Sequence, residues 1–185
     1  MATETIYDEI TFSMGMSNVS FSETDSGLTG ENVTDPYAGG VSSMNGQILW
    51  KFKPGLERSF FFTAQVPLLS TAAGAYFNGG GGAEFYFGEA GSKVSLSNSG
   101  TSIKMTPRKR FFWGVEGDLA YLSYVTKTSK KTDLLVEIGP FIGMAYQVSE
   151  NWNLRSSLGV SRGIGVVTTS MNMHLFIGGT MFIGD

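Results

Sequence analysis

The sequence predicts an all-β protein, an eight-stranded antiparallel up-and-down transmembrane β-barrel that forms a single domain over residues 1–185. Composition is the first observation behind this prediction, because 42% of the residues are apolar and 13% aromatic, but only 16% are charged. The second is that no apolar run approaches the roughly 18 residues that a membrane helix requires. The third is a period-two alternation of apolar and polar residues along most of the chain, which is typical of strands.

The alternation is clearest between Asp133 and Val148, where one face is apolar throughout and the other mixes small, polar and charged residues. Similar segments elsewhere give eight predicted strands, with ends uncertain by about 2–4 residues. The predicted strands are 7–22, 40–53, 58–70, 74–89, 109–126, 132–148, 151–166 and 171–184. The Ser/Thr-rich segment 90–109 could be a long turn or an extension of the fourth strand. If it forms one more full strand, the strand count becomes odd and the predicted topology fails.

The polar face of these strands distinguishes a membrane barrel from a soluble one. A soluble barrel turns its polar face to water and fills it with charges, whereas this face carries mainly Gly, Ala, Ser, Thr, Asn and Gln. Small residues suit the narrow, side-chain-filled interior of eight strands. The predicted lumen charge network consists of Glu9, Lys51, Glu84, Glu116, Asp118, Glu137, Arg155 and His174.

Charges inside such a lumen must be paired or hydrated, because an unpaired buried charge is very costly. We expect Glu116 and Asp118 to counter Lys51 and Arg155, with Arg162 as a further candidate cation. The alternative is that these charges lie on the solvated face of a soluble ligand-binding barrel.

Aromatic residues collect beside alternate turns, as the interfacial girdle of a membrane barrel requires. Phe111 and Phe112 adjoin Trp113 in one of these aromatic clusters. The predicted girdle consists of Trp50, Phe52, Phe60, Trp113, Tyr146 and Trp152. The opposite end carries the long loop Glu23–Gly39. Since short turns face the periplasm and long loops face outwards in bacterial barrels, both termini are expected on the periplasmic side.

Two prolines interrupt the predicted strands. Pro67 and Pro140 lie within alternating segments, and a closed barrel has no edge where a missing N–H is harmless. We therefore expect a β-bulge at each proline, or a position of Pro67 above the membrane rim.

Two local sequences, Tyr76–Gly88 (YFNGGGGAEFYFG) and Leu175–Phe182 (LFIGGTMF), resemble those of small eight-stranded outer-membrane barrels, typified by the OmpA membrane domain. The resemblance implies placement in the outer membrane of Gram-negative bacteria, after removal of a signal peptide that this sequence lacks. It also implies a role as structural anchor, adhesin, lipid-active enzyme or minor pore. Such chains commonly end on an aromatic residue, whereas this one ends at Asp185, which also fits a chain cut before a periplasmic domain.

The chemistry-bearing residues do not support an enzyme. A lipid A deacylase of this fold uses a Ser–His–acid triad on the lipid-facing surface, but His174 lies on the predicted inward face and Phe176 takes the place of a serine. Glu116 and Asp118 could do acid–base work, although the ion-pair role is preferred. No catalytic residue, metal site or cofactor is predicted, since the acidic loop after Glu23 does not match a calcium loop.

The expected partners are the lipid bilayer and lipopolysaccharide. Lys127, Lys130 and Lys131 would contact anionic lipopolysaccharide head groups, or form a solvated basic turn. The net charge of −3 argues against nucleic acid. We therefore expect a structural anchor or surface-contact protein with a side-chain-plugged polar lumen. The alternatives are a minor ion pore, a lateral conduit for small apolar molecules, or a soluble ligand-binding barrel.

Overall fold

The computed structural model is a closed barrel of eight strands, in which each strand pairs antiparallel with the next and the last pairs with the first. The residues that it describes are 8–23, 37–52, 58–97, 102–126, 129–149 and 152–183, with only the backbone described over 88–108. The strands are β1 (Asp8–Glu23), β2 (Ala38–Phe52), β3 (Arg58–Ser70), β4 (Gly74–Ser97), β5 (Ser102–Val125), β6 (Lys130–Gln147), β7 (Trp152–Gly165) and β8 (Thr168–Ile183). The predicted strand count and topology are confirmed.

The alternation in sequence becomes an alternation between the inside and the outside of the barrel. Along β1, Thr11 and Ser17 point inwards and are fully buried, whereas Phe12 and Met14 point outwards and are more than half exposed. This arrangement follows from the two-residue period of a strand, which sends successive side chains to opposite faces. The polarity is that of a membrane barrel, with apolar residues outside and polar residues inside.

The apolar exterior forms a band around the middle of the barrel. Leu119, Val136 and Ile138 are 64–70% exposed, and no other described residue covers this surface. On β1 the band ends at Met16, because the next outward residue, Asn18, is polar. We call the end that carries Asp8 the turn end and the end that carries Glu23 the loop end. In the described part of the chain, no helix is long and apolar enough to cross a bilayer.

The uncertain segment 90–109 extends two strands and adds none. β4 and β5 pair with each other as far as Ser97 and Ser102, with one register irregularity after Phe87. Their other neighbours stop earlier, since the last pairs with β3 and β6 are at Phe85 and Lys109. The hairpin therefore continues beyond the barrel wall at the turn end as a two-stranded ribbon.

The two prolines are accommodated in different ways. A register shift in the β2–β3 ladder places Asn45 opposite Pro67 and leaves Leu68 unpaired, which is the expected bulge. The bulge expected at Pro140 is absent. Here the β6–β7 ladder keeps one register but lacks pairs at Gly139 and Pro140, because proline has no N–H to give to a ladder.

Candidate functional site

The lumen is the candidate functional site, and its contents are arranged in layers that can be read along β5. From the turn end to the loop end, the inward side chains of β5 are Arg110, Phe112, Glu116, Asp118, Ala120, Leu122 and Tyr124. The lumen therefore passes from an ion-pair layer through an aromatic layer to an acidic layer, and then to an apolar layer near the loop end.

The ion-pair layer is centred on Glu84, whose side chain is fully buried. Arg155 donates to both of its carboxylate oxygens at 3.1 and 2.7 Å, and Lys51 donates to Oε1 at 2.8 Å. Lys51 also lies 3.2 Å from Glu9, which in turn lies 3.8 Å from Arg110. Bidentate, charge-assisted hydrogen bonds of this kind are the strongest that side chains form. The layer thus ties five charged residues from five strands together across the barrel.

The aromatic layer covers these ions on the side facing the loop end. The guanidinium carbon of Arg155 lies 3.8 Å from the ring centroid of Phe112, within cation–π distance. Phe112 in turn packs edge-on against Phe141, which packs edge-on against Phe61. Gly143 makes room for this layer, since a Cβ atom there would overlap the ring of Phe112.

The acidic layer comes next and is built around Tyr76. The Tyr76 hydroxyl donates to Glu137 at 2.5 Å and accepts from the side-chain amides of Asn78 and Asn172 at 3.1 and 3.0 Å. Glu137 also accepts from Ser161 and Ser170, each at 3.1 Å. These bonds fix the carboxylate of Glu137, and no cationic side chain in the described part of the chain pairs with it.

The remaining acids of this layer are Glu116 and Asp118. Glu116 lies 3.2 Å from Nε2 of His174, and Asp118 receives one long bond of 3.5 Å from Asn78. The apolar layer beyond them consists of Val19, Phe21, Val41, Tyr76, Ala120, Leu122, Tyr124 and Leu135.

The eight residues predicted for the lumen network all lie on the inward face and are buried. The expected pairing with Glu116 and Asp118 is wrong, however. Lys51 pairs with Glu84 and Glu9, and Arg155 pairs with Glu84. Arg162 is exposed on the outer surface of β7 and is no part of the lumen.

Sequence reasoning did not single out four inward residues that complete these layers, namely Tyr76, Asn78, Arg110 and Asn172. The sequence could have identified them, because each lies an even number of positions from an inward residue on the same strand. Tyr76 and Asn78 share the inward face of β4 with Glu84, and Asn172 shares that of β8 with His174. Phe112 was grouped with the exterior aromatics, but it is inward and fully buried.

The six predicted girdle residues all face outwards and are 39–64% exposed. Trp50 and Phe52 lie 4.1 Å apart between ring centroids, and Trp50 donates to Asp8 at 3.2 Å. Trp152 pairs with Met181 near the turn end. Aromatic side chains at this level are typical of the membrane–water interface.

The basic residues at the loop end are partly engaged by the barrel. Lys131 lies 2.7 Å from Glu23, which also accepts from the hydroxyl of Tyr124 at 2.9 Å. Burial alone would raise the pKa of Glu23, but the bonds from Lys131 and Tyr124 outweigh it and lower this pKa below its ordinary value of 4.5. Lys130 is exposed, and Lys127 lies outside the described residues.

His174 lies inside the lumen, and its Nε2 faces Glu116, while its Nδ1 has no hydrogen-bond partner among the residues that the structure describes. The next inward residue of β8 is Phe176, whose ring lies 5.8 Å from the imidazole. Among the described residues, no group of three or more His, Asp or Glu side chains is placed to hold a metal ion.

One groove of about 610 Å³ lies on the outer surface, where the β6–β7 ladder is interrupted at Pro140. Ser161 and Ser170 belong both to this groove and to the shell of Glu137. The residues that line it are Ser20, Phe21, Ser22, Pro140, Val160, Ser161, Arg162, Thr169, Ser170 and Met171.

Comparison with protein-family models finds no match, and comparison with curated protein sequences finds none either. Solved structures do match. The outer membrane protein OprG from Pseudomonas aeruginosa is 13% identical with a TM-score of 0.60, and the alignment covers 98% of each chain. The outer membrane protein AlkL, determined in DMPC bilayers, is 11% identical with a TM-score of 0.51, covering all of this chain and 93% of AlkL.

Neisserial surface protein A is similar at 13% identity and a TM-score of 0.50, with 92% of this chain and 96% of that one covered. The chain has the fold of these eight-stranded outer-membrane barrels. At such low identity the likeness concerns the fold, and the function has to be argued from the lumen and the surface.

Proposed function

We propose that the protein is a non-enzymatic β-barrel of the bacterial outer membrane that acts as a structural anchor or surface-contact protein with a closed lumen. The observation that supports this most strongly is that two layers of side chains, the ion-pair layer and the apolar layer, each block the lumen. The Lys51–Glu84–Arg155 network spans the barrel, and the ring of Phe112 covers it. The apolar layer around Leu122 fills the lumen towards the loop end.

The outer-membrane placement rests on the exposed apolar band, the outward aromatic girdle and the fold shared with OprG and AlkL. Gel mobility with and without boiling in detergent tests the fold in this setting, because outer-membrane barrels keep their compact form in detergent until heated. A band that migrates identically before and after boiling, in protein extracted without detergent, would contradict the placement.

Planar-bilayer recording tests the closed lumen. The wild type should give no steady conductance, and Arg155→Ala should raise the leak because it removes both bonds to Glu84 and the cation–π contact with Phe112. Arg162→Ala is the matched control, since this arginine lies on β7 but faces outwards. Strong conductance of the wild type would exclude the plug and favour a minor ion pore.

Lipopolysaccharide is the expected partner at the loop end. Lys130 and Lys131 are exposed there, above the apolar band, and Lys127 belongs to the same turn in the sequence. An anionic head group would be attracted to these ammonium groups. Replacing all three lysines by glutamine should weaken binding to lipopolysaccharide vesicles and leave binding to zwitterionic vesicles unchanged. Equal binding of the variant and the wild type would contradict the proposed contact with lipopolysaccharide.

A second function, lateral passage of small apolar molecules, is favoured by one observation. The groove at Pro140 lies where the wall lacks two ladder pairs, and its lining serines lead directly to Glu137 inside. Pro140→Val should restore the ladder and slow the uptake of an apolar substrate by cells if this route is used. Uptake that is unchanged by Pro140→Val would exclude the lateral route, and only the anchor role would remain.

A further inference from the structure

We propose that the acidic layer of the lumen binds a hydrated divalent cation of the Mg²⁺ class, enclosed between the aromatic layer and the apolar layer. This inference concerns a binding site and goes beyond the anchor role, since it does not depend on what the barrel contacts outside.

The first step is the charge of the layer. Glu116, Asp118 and Glu137 contribute three carboxylates, and each residue is at least 95% buried. The only titratable cation in contact with any of them among the described residues is His174, which lies 3.2 Å from Glu116. The Arg155 guanidinium is committed to Glu84 by two hydrogen bonds in the other layer. Buried carboxylates without cationic partners are very costly, so the layer has to be neutralised either by protons or by a bound cation.

The second, independent step comes from unpartnered side-chain atoms. Asn172 and Asn78 are 0% and 4% exposed, and the Oδ1 atom of each is buried without any hydrogen-bond partner. Asp118 Oδ1 is likewise buried without a hydrogen-bond partner among the described residues. These three atoms are acceptors, and a fourth unpartnered atom of the layer, His174 Nδ1, is also an acceptor when Nε2 carries the proton that faces Glu116. The species that would satisfy them is therefore a donor or a cation.

The orientation of the two amides is fixed by Tyr76. Its hydroxyl has one proton, which goes to Glu137, and two lone pairs, which accept from Asn78 and Asn172. Both amides must therefore turn their NH₂ groups to Tyr76, and both carbonyl oxygens are left for another ligand. The hydrogen bonds within the layer thus create its unsatisfied oxygens.

The chemical class of the ligand follows from these donors. Carboxylate and amide oxygens are the ligands of hard cations such as Mg²⁺ and Ca²⁺. No three acidic or histidine side chains in the described residues are placed to grip a bare ion, so most of its first ligands must be water. Mg²⁺ loses water reluctantly and keeps several waters in protein sites. Its bound waters would donate to Asp118, Asn78 and Asn172.

The layers on either side would make such an ion slow to exchange. Phe61, Phe112 and Phe141 lie on one side, and Leu122 and Leu135 lie on the other. The ion would therefore enter while the barrel forms, and a chelator added afterwards would remove it slowly.

Mn²⁺ is a suitable probe, because it resembles Mg²⁺ and its free form gives a countable electron paramagnetic resonance signal. The full chain is refolded in zwitterionic detergent with MnCl₂, freed of unbound metal by gel filtration, and denatured in acid to release what it holds. The wild type is expected to release one Mn²⁺ per chain, and excess MgCl₂ during refolding should displace it.

Asp118→Asn keeps the shape of the layer but removes one charge, and should reduce bound Mn²⁺ by roughly tenfold or more. If Asp118→Asn fails to give a heat-modifiable folded band, Glu116→Gln serves the same purpose. Glu23→Gln is the matched control, since Glu23 is a buried carboxylate outside the layer, and it should release as much Mn²⁺ as the wild type. Wild-type protein that releases no Mn²⁺, or a folded Asp118→Asn variant that releases as much as the wild type, would overturn the proposal.

Discussion

The substitution Glu84→Gln tests whether the ion-pair layer holds the barrel together. The Glu84 side chain is fully buried and accepts three hydrogen bonds, two from Arg155 and one from Lys51. The neutral amide removes the charge that both buried cations face, and among the described residues it leaves Glu9 as the only carboxylate paired with Lys51. Breaking a buried ion pair from one side typically costs about 3–5 kcal/mol, and we expect a loss of unfolding free energy in this range.

The assay is reversible urea unfolding in phospholipid vesicles, followed by the fluorescence of the outward tryptophans Trp50, Trp113 and Trp152. A double-variant cycle isolates the pair. Glu84→Gln combined with Arg155→Met should cost less than the sum of the two single variants, by roughly 1–3 kcal/mol, because the second change removes the cation stranded by the first.

Lys131→Met provides the control for a pair at the surface. The Lys131 side chain is 44% exposed in its contact with Glu23, and exposed pairs contribute only about 0–1 kcal/mol. If Glu84→Gln costs no more than Lys131→Met, or if the double variant is strictly additive, water reaches the layer and the closed lumen is refuted.

Three further predictions concern other parts of the barrel. Asp133→Ala should cost about 2–3 kcal/mol in the same unfolding assay, because the Asp133 carboxylate accepts from three consecutive backbone N–H groups in the β7–β8 turn. Gly143→Ala should cost about 1–3 kcal/mol, because the added Cβ would overlap both the Ser156 carbonyl oxygen and the ring of Phe112. Gly117→Ala should be neutral, because the nearest atom to its added Cβ is the Glu137 carbonyl oxygen at an ordinary contact distance of 3.9 Å. The lowered pKa of Glu23 stabilises the fold above pH 4.5 and ceases to do so as the pH falls through the folded-state pKa. The stability difference between the wild type and Glu23→Gln should therefore disappear in acid, and a constant difference from pH 7 to pH 3 would contradict it.

The sequence was sufficient to predict which residues face the lumen. A two-residue period leaves only two faces, and one apolar face such as that of Leu134 to Val148 decides which of them lies outside. Lys51, Glu84 and Arg155 could therefore be assigned to the interior one strand at a time. The same two-residue period also places Phe112 inside and Arg162 outside, as the structure has them.

The pairing of the lumen charges required the closed barrel. Glu84 and Arg155 lie 71 positions apart on strands that share no ladder, and they meet because the stagger between strands brings them to one level. The relative height of two residues on distant strands depends on the register of every strand pair between them. No short stretch of sequence determines it. Alternation along each strand is a local property, and so the sequence alone decided the inside and the outside. Contacts across the lumen depend on every register at once, and so only the tertiary structure decided that Glu84, and not Glu116 or Asp118, meets Arg155.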